Sequence, residues 1–288
     1  MCRLFGFRSV IPSQVHRSLV AAENALGAQS ARHPDGWGVA YYVDDAPHVM
    51  KSPTTALDDR LFHQLSGVVT SETVVAHVRR ATVGDQSILN THPFQHGRWV
   101  FAHNGEIAEF ERCRSKLVAE VAPKLRRFVL GQTDSEVIFF LFLTELQGYG
   151  ALARPIGVNE VSEALAKTVD RVRAVCDGPD APRPSLLNLL VTNGATLAAT
   201  REGKELFWST YKNRCSDRAS CAHLAVECEA PTRTGFVNHL IISSEPLQGE
   251  NVWAEMQEGE IVGVDWRMQV ARRARGRGPP QNDLRVIS

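Results

Sequence analysis

The order of elements along this chain predicts an α+β fold built in layers. Three observations carry that reading. Strand-like segments come first, helical ones fill the middle, and strands return, without strict strand–helix alternation. Hydrophobic residues make up 43% of the 288, enough to bury a substantial core. No Gly-, Pro- or Ser-rich linker cuts the body, so residues 1–266 read as one domain and 267–288 as a basic, flexible tail.

The elements follow in order. "RLFGFRSV" reads as a strand. "SQVHRSLVAAENALGAQS" has helical spacing at Val15, Leu19, Ala22 and Leu26, with Ser13 as N-cap. "GWGVAYYV" reads as a strand after a glycine turn, and "LDDRLFHQLSG" as a short helix closed by Gly67. "ETVVAHVRRAT" is a buried strand with a polar end. "RWVFAHNGEI" is another, breaking at the turn dipeptide Asn104-Gly105. "TDSEVIFFLFLTELQ" is an apolar helix whose Thr133 and Glu136 have capping-box spacing. "VNEVSEALAKTVDRVRAVC" is an amphipathic helix, and "GPDAPRPS" a loop. The remainder to "GEIVGVDW" is short strands and turns. Beyond Trp266 lie six arginines and one acid, the composition of a solvated tail; an anionic partner is the sharper alternative.

Bulk properties narrow the function. Formal net charge is zero and the pI is about 7.1, so no overall field points to nucleic acid or a membrane surface. No apolar run approaches the ~20 residues of a membrane span, and the start lacks a secretory pattern. A cytoplasmic protein is expected. The six cysteines do not suggest a disulfide framework in a chain of this kind. Cys215, Cys221, His223 and Cys228 cluster, but their spacing fits no common zinc template. No metal and no cofactor are called for.

The chemistry begins at "MCRLFGF". Removal of Met1 gives Cys2 both a thiol and an α-amine, and an α-amine of ordinary pKa, about 7.7 to 8, is partly unprotonated near neutral pH. Nucleophile and base then share one residue, with a water bridging them. Attack on an amide needs oxyanion donors and a substrate clamp. "AHNGEI" offers the Asn104 side-chain N–H and the Gly105 backbone N–H. "HVRRATVG" offers Arg79, whose fork can grip a carboxylate. "GQTDSE" places Asp134 at a helix start, where it can bind an ammonium. Each also has a plainer reading: Asn-Gly as a turn, Asp134 as a first-turn acid, Arg79 as a surface cation, and His77, His92 and His103 as structural histidines.

Taken in order, Cys2, "HPDGWGVAYY", "HVRRATVG", "NTHPF", "AHNGEI" and "GQTDSE" resemble the class II glutamine amidotransferases, the cysteine branch of the N-terminal nucleophile hydrolases. The likeness is closest to stand-alone members of a single glutaminase-type domain. It is specific over residues 2 to 145 and looser to "SSEPLQGENVWAEMQEGEIV". The resemblance implies a four-layer αββα sandwich. It implies Cys2 as nucleophile, Asn104 and Gly105 as oxyanion hole, and Arg79 and Thr82 at the α-carboxylate of a γ-glutamyl group. It also implies Asp134 at the ammonium, His92 beside the site, and Trp37 and Gly38 as pocket wall. The chain departs from the family pattern at Arg80, often aromatic, and Val83, often histidine. The implied reaction cleaves glutamine or a γ-glutamyl amide through a thioester, releasing glutamate and ammonia or an amine. A non-catalytic γ-glutamyl-binding module is the alternative. Nothing after residue 145 resembles a synthase domain, so a separate ammonia-accepting synthase and a homodimer stand as open partners, with neither nucleic acid nor membrane among them.

Overall fold

A computed structural model describes residues 2–14, 19–20, 22, 24–179, 181–215 and 227–274. The first half holds β1 (Arg3–Gln14), α1 (Leu26–Gln29), β2 (Trp37–Val43), β3 (Ala46–Ser52), α2 (Arg60–Val68), β4 (Thr70–Val78), β5 (Phe94–His96) and β6 (Trp99–Glu106). Helices follow: α3 (Phe110–Glu120), α4 (Pro123–Arg126), α5 (Asp134–Leu146) and α6 (Val158–Cys176). The chain then returns to strands: β7 (Leu186–Thr192), β8 (Leu197–Thr200), β9 (Phe207–Ser209), β10 (His239–Ser243), β11 (Ala254–Glu255), β12 (Glu260–Val264) and β13 (Val270–Ala274).

Two antiparallel sheets result. One runs β11-β9-β10-β1-β4-β2-β3 and the other β13-β12-β8-β7-β6-β5. Side chains alternate across each strand and sort into three cores. Along β1, Leu4 joins the core shared with Val100, Ala102 and Leu190 of the facing sheet, while Phe5 and Phe7 pack outward with Trp37, Phe62 and Leu65. Along β6, Val100 and Ala102 face inward, and Trp99 and Phe101 pack against α5 and α6. Helices thus cover the outer face of each sheet, the four-layer αββα order that the resemblance implies. Gly6 lies on the inner face, where an added Cβ would sit 2.3 Å from Leu190 Cδ1, so the sheets close tightly there.

Several local expectations change. Ser13 is no N-cap: it pairs with Ser71 inside β1, because the β1–β4 ladder outweighs the helical spacing. Val15 lies outside the described residues; Leu19 and Leu26 pack in the outer core. Gly67 sits within α2, whose N-cap Asp59 accepts from Leu61 N–H at 2.8 Å. The Asn104-Gly105 turn is absent, since β6 runs on to Glu106 opposite Leu186. Thr133 accepts from Glu136 N–H at 3.2 Å as expected, but Glu136 turns back to Leu130 and Gly131 N–H instead of closing the capping box. Cys113 and Cys176 form a disulfide between α3 and α6, against the expectation of none. The expected boundary after Trp266 falls within a hairpin, because Val270–Ala274 pairs with β12. Residues 275–288 of the expected tail, and Cys221 and His223 of the cysteine cluster, lie outside the described residues. Among the described residues no helix is long and apolar enough to cross a membrane.

Candidate active site

Strand ends gather most of the candidate residues at one end of the sandwich. Arg3 lies opposite Val78, so the start of β1 meets the end of β4 and Cys2 comes beside Arg79 and Arg80. The Cys2 thiol accepts from Arg80 N–H at 3.3 Å and donates to its carbonyl at 3.4 Å. Burial raises the thiol above the ordinary cysteine range; Arg80 N–H, then the charges of Lys204 and Arg79, pull it down. A thiol held in this way keeps its proton at neutral pH and needs a base to become a nucleophile.

Arg79 is 3% exposed, so it is not a surface cation. Its backbone N–H donates to Gly36 O at 2.7 Å. Its fork donates to the carbonyls of Val83 at 2.9 Å, Gly84 at 3.2 Å and Asp85 at 3.3 Å. That loop fixes the guanidinium through Nη1 and Nη2, and two of its five N–H groups lie outside these three bonds. Burial lowers its pKa, while the nearby charges of Cys2, Asp35 and Asp134 raise it. These three groups therefore share one electrostatic neighbourhood.

Gly105 owes its availability to ladder geometry. Leu187 faces it across β6–β7, yet Leu187 N–H donates to Glu202 O at 2.8 Å on the β8 side. In an antiparallel ladder the N–H and C=O of a residue point to the same side, so this is a non-hydrogen-bonded pair. Gly105 N–H then points away from β7, past the end of β5, whose pairing reaches only Phe101. A side chain is excluded here, because a Cβ would lie 1.7 Å from Leu186 O and 2.4 Å from His103 Nε2. Asn104, 2% exposed, projects inward between the sheets. Its Nδ2 donates to Ser244 Oγ at 3.0 Å, and Oδ1 is buried without a partner.

Asp134 opens α5 and is buried. Its Oδ2 accepts from Ile107 N–H at 2.8 Å, and Oδ1 from Ser135 N–H at 2.7 Å. Those bonds aim the carboxylate and leave lone pairs for a cation. Beside it, His103 Nε2–H donates to Leu186 O at 2.9 Å, so Nδ1 is left to accept from the Ser135 hydroxyl at 2.9 Å. His103 is the structural histidine of the plainer reading.

The remaining candidates are placed differently. Trp37 is fully buried on the outer face, its Nε1–H donating to Asp59 at 2.8 Å and its ring edge-on to Phe62. It packs β2 onto α2, away from the inner face that carries Asn104. Gly38 faces inward, where a Cβ would come within 2.1 Å of His92 O, so it admits the "NTHPF" segment. His92 is buried with its ring 4.2 Å from that of His77, and neither ring nitrogen has a partner. Burial drives it well below the usual histidine range, which makes it a neutral packing element. Thr82 is exposed on the loop after β4. Sequence reading missed Ser244 and Lys204. No spacing marks either one, since both reach the site from late strands of the fold.

Comparison with known proteins identifies the family. The profile of the family described as class-II glutamine amidotransferases matches residues 1–274. A Saccharomyces cerevisiae protein named probable glutamine amidotransferase DUG3 is 32% identical over 297 residues, covering 92% of this chain and 82% of its own. A Mycobacterium tuberculosis protein named gamma-glutamyl-hercynylcysteine sulfoxide hydrolase is 26% identical over 231 residues, covering 80% of this chain and 75% of its own. A solved glutamine aminotransferase class-II domain protein from Silicibacter pomeroyi superposes with a TM-score of 0.64 at 21% identity, covering 96% of this chain and 100% of its own.

Proposed function

The chain belongs to the class II glutamine amidotransferases, an enzyme family, and on that premise we propose that Cys2 cleaves the γ-amide of glutamine or a γ-glutamyl conjugate. The observation that carries this reading is the meeting of a half-buried thiol, a buried arginine and a Gly105 N–H left out of its ladder at one end of the sandwich. Once Met1 is removed, the Cys2 α-amine takes the thiol proton through a bridging water. The sulfur then attacks the amide carbon. Asn104 Nδ2 and Gly105 N–H receive the oxyanion. Arg79 holds the substrate α-carboxylate, with Thr82 beside it, and Asp134 holds the α-ammonium. Collapse expels the amine, which takes the proton from the Cys2 ammonium and leaves a γ-glutamyl thioester. Water, deprotonated by the same amine, hydrolyses the thioester to glutamate.

The name of the Mycobacterium tuberculosis relative, a γ-glutamyl conjugate hydrolase, supports a γ-glutamyl conjugate as substrate and water as acceptor. Delivery of ammonia to a separate synthase is the other outcome of the same chemistry. The substrate is a small molecule in both.

The test is a product screen. Processed protein is incubated with glutamine, glutathione and several γ-glutamyl amides, and released glutamate and amine are quantified. Cys2→Ala should abolish turnover while leaving substrate binding measurable by calorimetry, and wild type should show an acyl adduct in its intact mass. Wild-type rates from Cys2→Ala, or full activity in protein that retains Met1, would end the proposal.

A further inference from the structure

Ser244 joins three parts of the site. Its backbone N–H donates to Leu4 O at 3.0 Å, and its Oγ accepts from Leu4 N–H at 3.0 Å. It is thereby fixed to β1 two residues from the nucleophile. The same Oγ lies 3.0 Å from Asn104 Nδ2, which comes from β6 in the facing sheet. Ser244 is 7% exposed and Asn104 is 2% exposed, so water does not compensate for poor pairing here.

With Nδ2 donating, the pair is badly matched. Ser244 Oγ then accepts twice, from Leu4 and from Asn104, and among the described residues its hydroxyl proton has no acceptor. Asn104 Oδ1 is buried with no donor among the described residues. A half turn of the planar amide about its last torsion cures both faults, because oxygen and nitrogen exchange places with almost no change of shape. Oδ1 then accepts the Ser244 O–H. What stays unpaired between the two side chains is amide N–H alone, the group that a negatively charged oxygen requires.

We propose that Ser244 is a positioning residue, whose hydroxyl, anchored by Leu4 N–H, donates to Asn104 Oδ1 and so presents Nδ2 to the oxyanion. This rests on the reading of Asn104 as an oxyanion donor. One hydroxyl thus sets an oxyanion donor from one sheet in register with the nucleophile strand of the other. Serine or threonine fits the role, since it supplies one donor and two acceptor sites. Alanine does not, and Asn104 Nδ2 then has no reason to face the oxyanion.

The experiment is a double-mutant cycle on glutamine hydrolysis, with Ser244→Ala, Asn104→Ala and the double variant, each checked by thermal unfolding. Ser244→Ala should lower kcat roughly 10- to 100-fold, less than the ~10² to 10³ expected for Asn104→Ala. Its KM should stay within about twofold, and Ser244→Thr should restore most of kcat. In the Asn104→Ala background, Ser244→Ala should change kcat by less than about twofold, because it acts through that side chain. An unchanged kcat in Ser244→Ala, an equal fall in both backgrounds, or a change confined to KM overturns the proposal. If Ser244→Ala does not fold, Ser244→Cys supplies the same reading. It keeps an acceptor for Leu4 N–H but donates weakly, and undiminished kcat in it overturns the proposal. A wild-type rate in Asn104→Ala alone defeats the oxyanion reading beneath it. A slow Asn104→Ala with a normal Ser244→Ala defeats only the role of Ser244.

Discussion

Cys2 carries opposed influences on one sulfur. Burial favours the neutral thiol, while Arg80 N–H and the Lys204 and Arg79 charges favour the thiolate. Of the charged side chains acting on it, Lys204 has the largest effect, and Lys204 itself is lowered by burial and raised by the Cys2 charge. Lys204→Met should therefore raise the thiol pKa and reduce the thiolate fraction at neutral pH. The alkylation rate of Cys2 by iodoacetamide at pH 7 should fall roughly 3- to 10-fold, a shift of up to about one pKa unit. Peptide-mapped labelling across pH measures this, and superimposable profiles for variant and wild type would refute it. At this scale the sequence was readable where the chemistry dictates residue type. A second-position cysteine, an arginine closing a strand and an asparagine before glycine stand out by kind and order, whereas the burial of Arg79 shows only in the fold. Lys204 and Ser244 do not, because their work depends on where distant strands end. Trp37 misled in the other direction: it stands next to a glycine that faces inward, but alternation along β2 turns it toward α2.

Elements explain why some local signals failed. Asn104-Gly105 has strong turn chemistry, yet β7 continues the ladder through both residues. Gly105 serves close approach, since Leu186 O occupies the space of its absent Cβ. Helices α5 and α6 were legible because each buries a long apolar face that no other element type presents. Helix α3 escaped notice because charged residues interrupt its apolar positions. Its Cys113 reaches Cys176 at the end of α6, with Cα atoms 5.5 Å apart at a sequence separation of 63. A closed loop of that length is worth roughly 4 kcal/mol in the chain-entropy account. Reduction with dithiothreitol should lower the melting temperature of the oxidised protein by roughly 5 to 10 °C. Cys113→Ser should melt at the lower temperature and ignore the reductant. The bond lies in the outer helical layer, so the rate of glutamine hydrolysis below the melting range should not follow its redox state. Equal melting curves with and without reductant would remove the disulfide from the account of stability.

Over the whole molecule, the layered α+β class was readable because strands on either side of apolar helices have few ways to bury both faces, while the αββα order followed from the resemblance of the motifs. The end of the domain was not. Arginine-rich sequence after Trp266 looks like a tail, but Arg272 in β13 is held by the Glu260 carboxylate at 2.7 Å and packs over Trp208. The fold also buries histidines. His77, between the sheets, and His239, in β10, are both lowered by burial to about 3. Each is neutral in the fold and gains a proton on unfolding at any pH between about 3 and the ordinary histidine value of ~6.5. The unfolded state then binds more protons, so stability rises with pH through that window. It is fully present above ~6.5 and is lost as pH falls. Each histidine contributes up to ~1.4 kcal/mol per pH unit, and the two together roughly 4 kcal/mol between pH 8 and pH 5. His239 separates this effect from catalysis, since it begins β10 and Ser244 follows the other end of the same strand. Urea midpoints followed by tryptophan fluorescence should be level from pH 8 to 7 and fall below 6.5. His239→Leu should shed its own share of that fall, roughly 2 kcal/mol between pH 8 and pH 5, and leave the pH profile of glutamine hydrolysis unchanged. An identical decline in His239→Leu and wild type would mean that other groups govern acid lability and that the neutral buried His239 is not one of them.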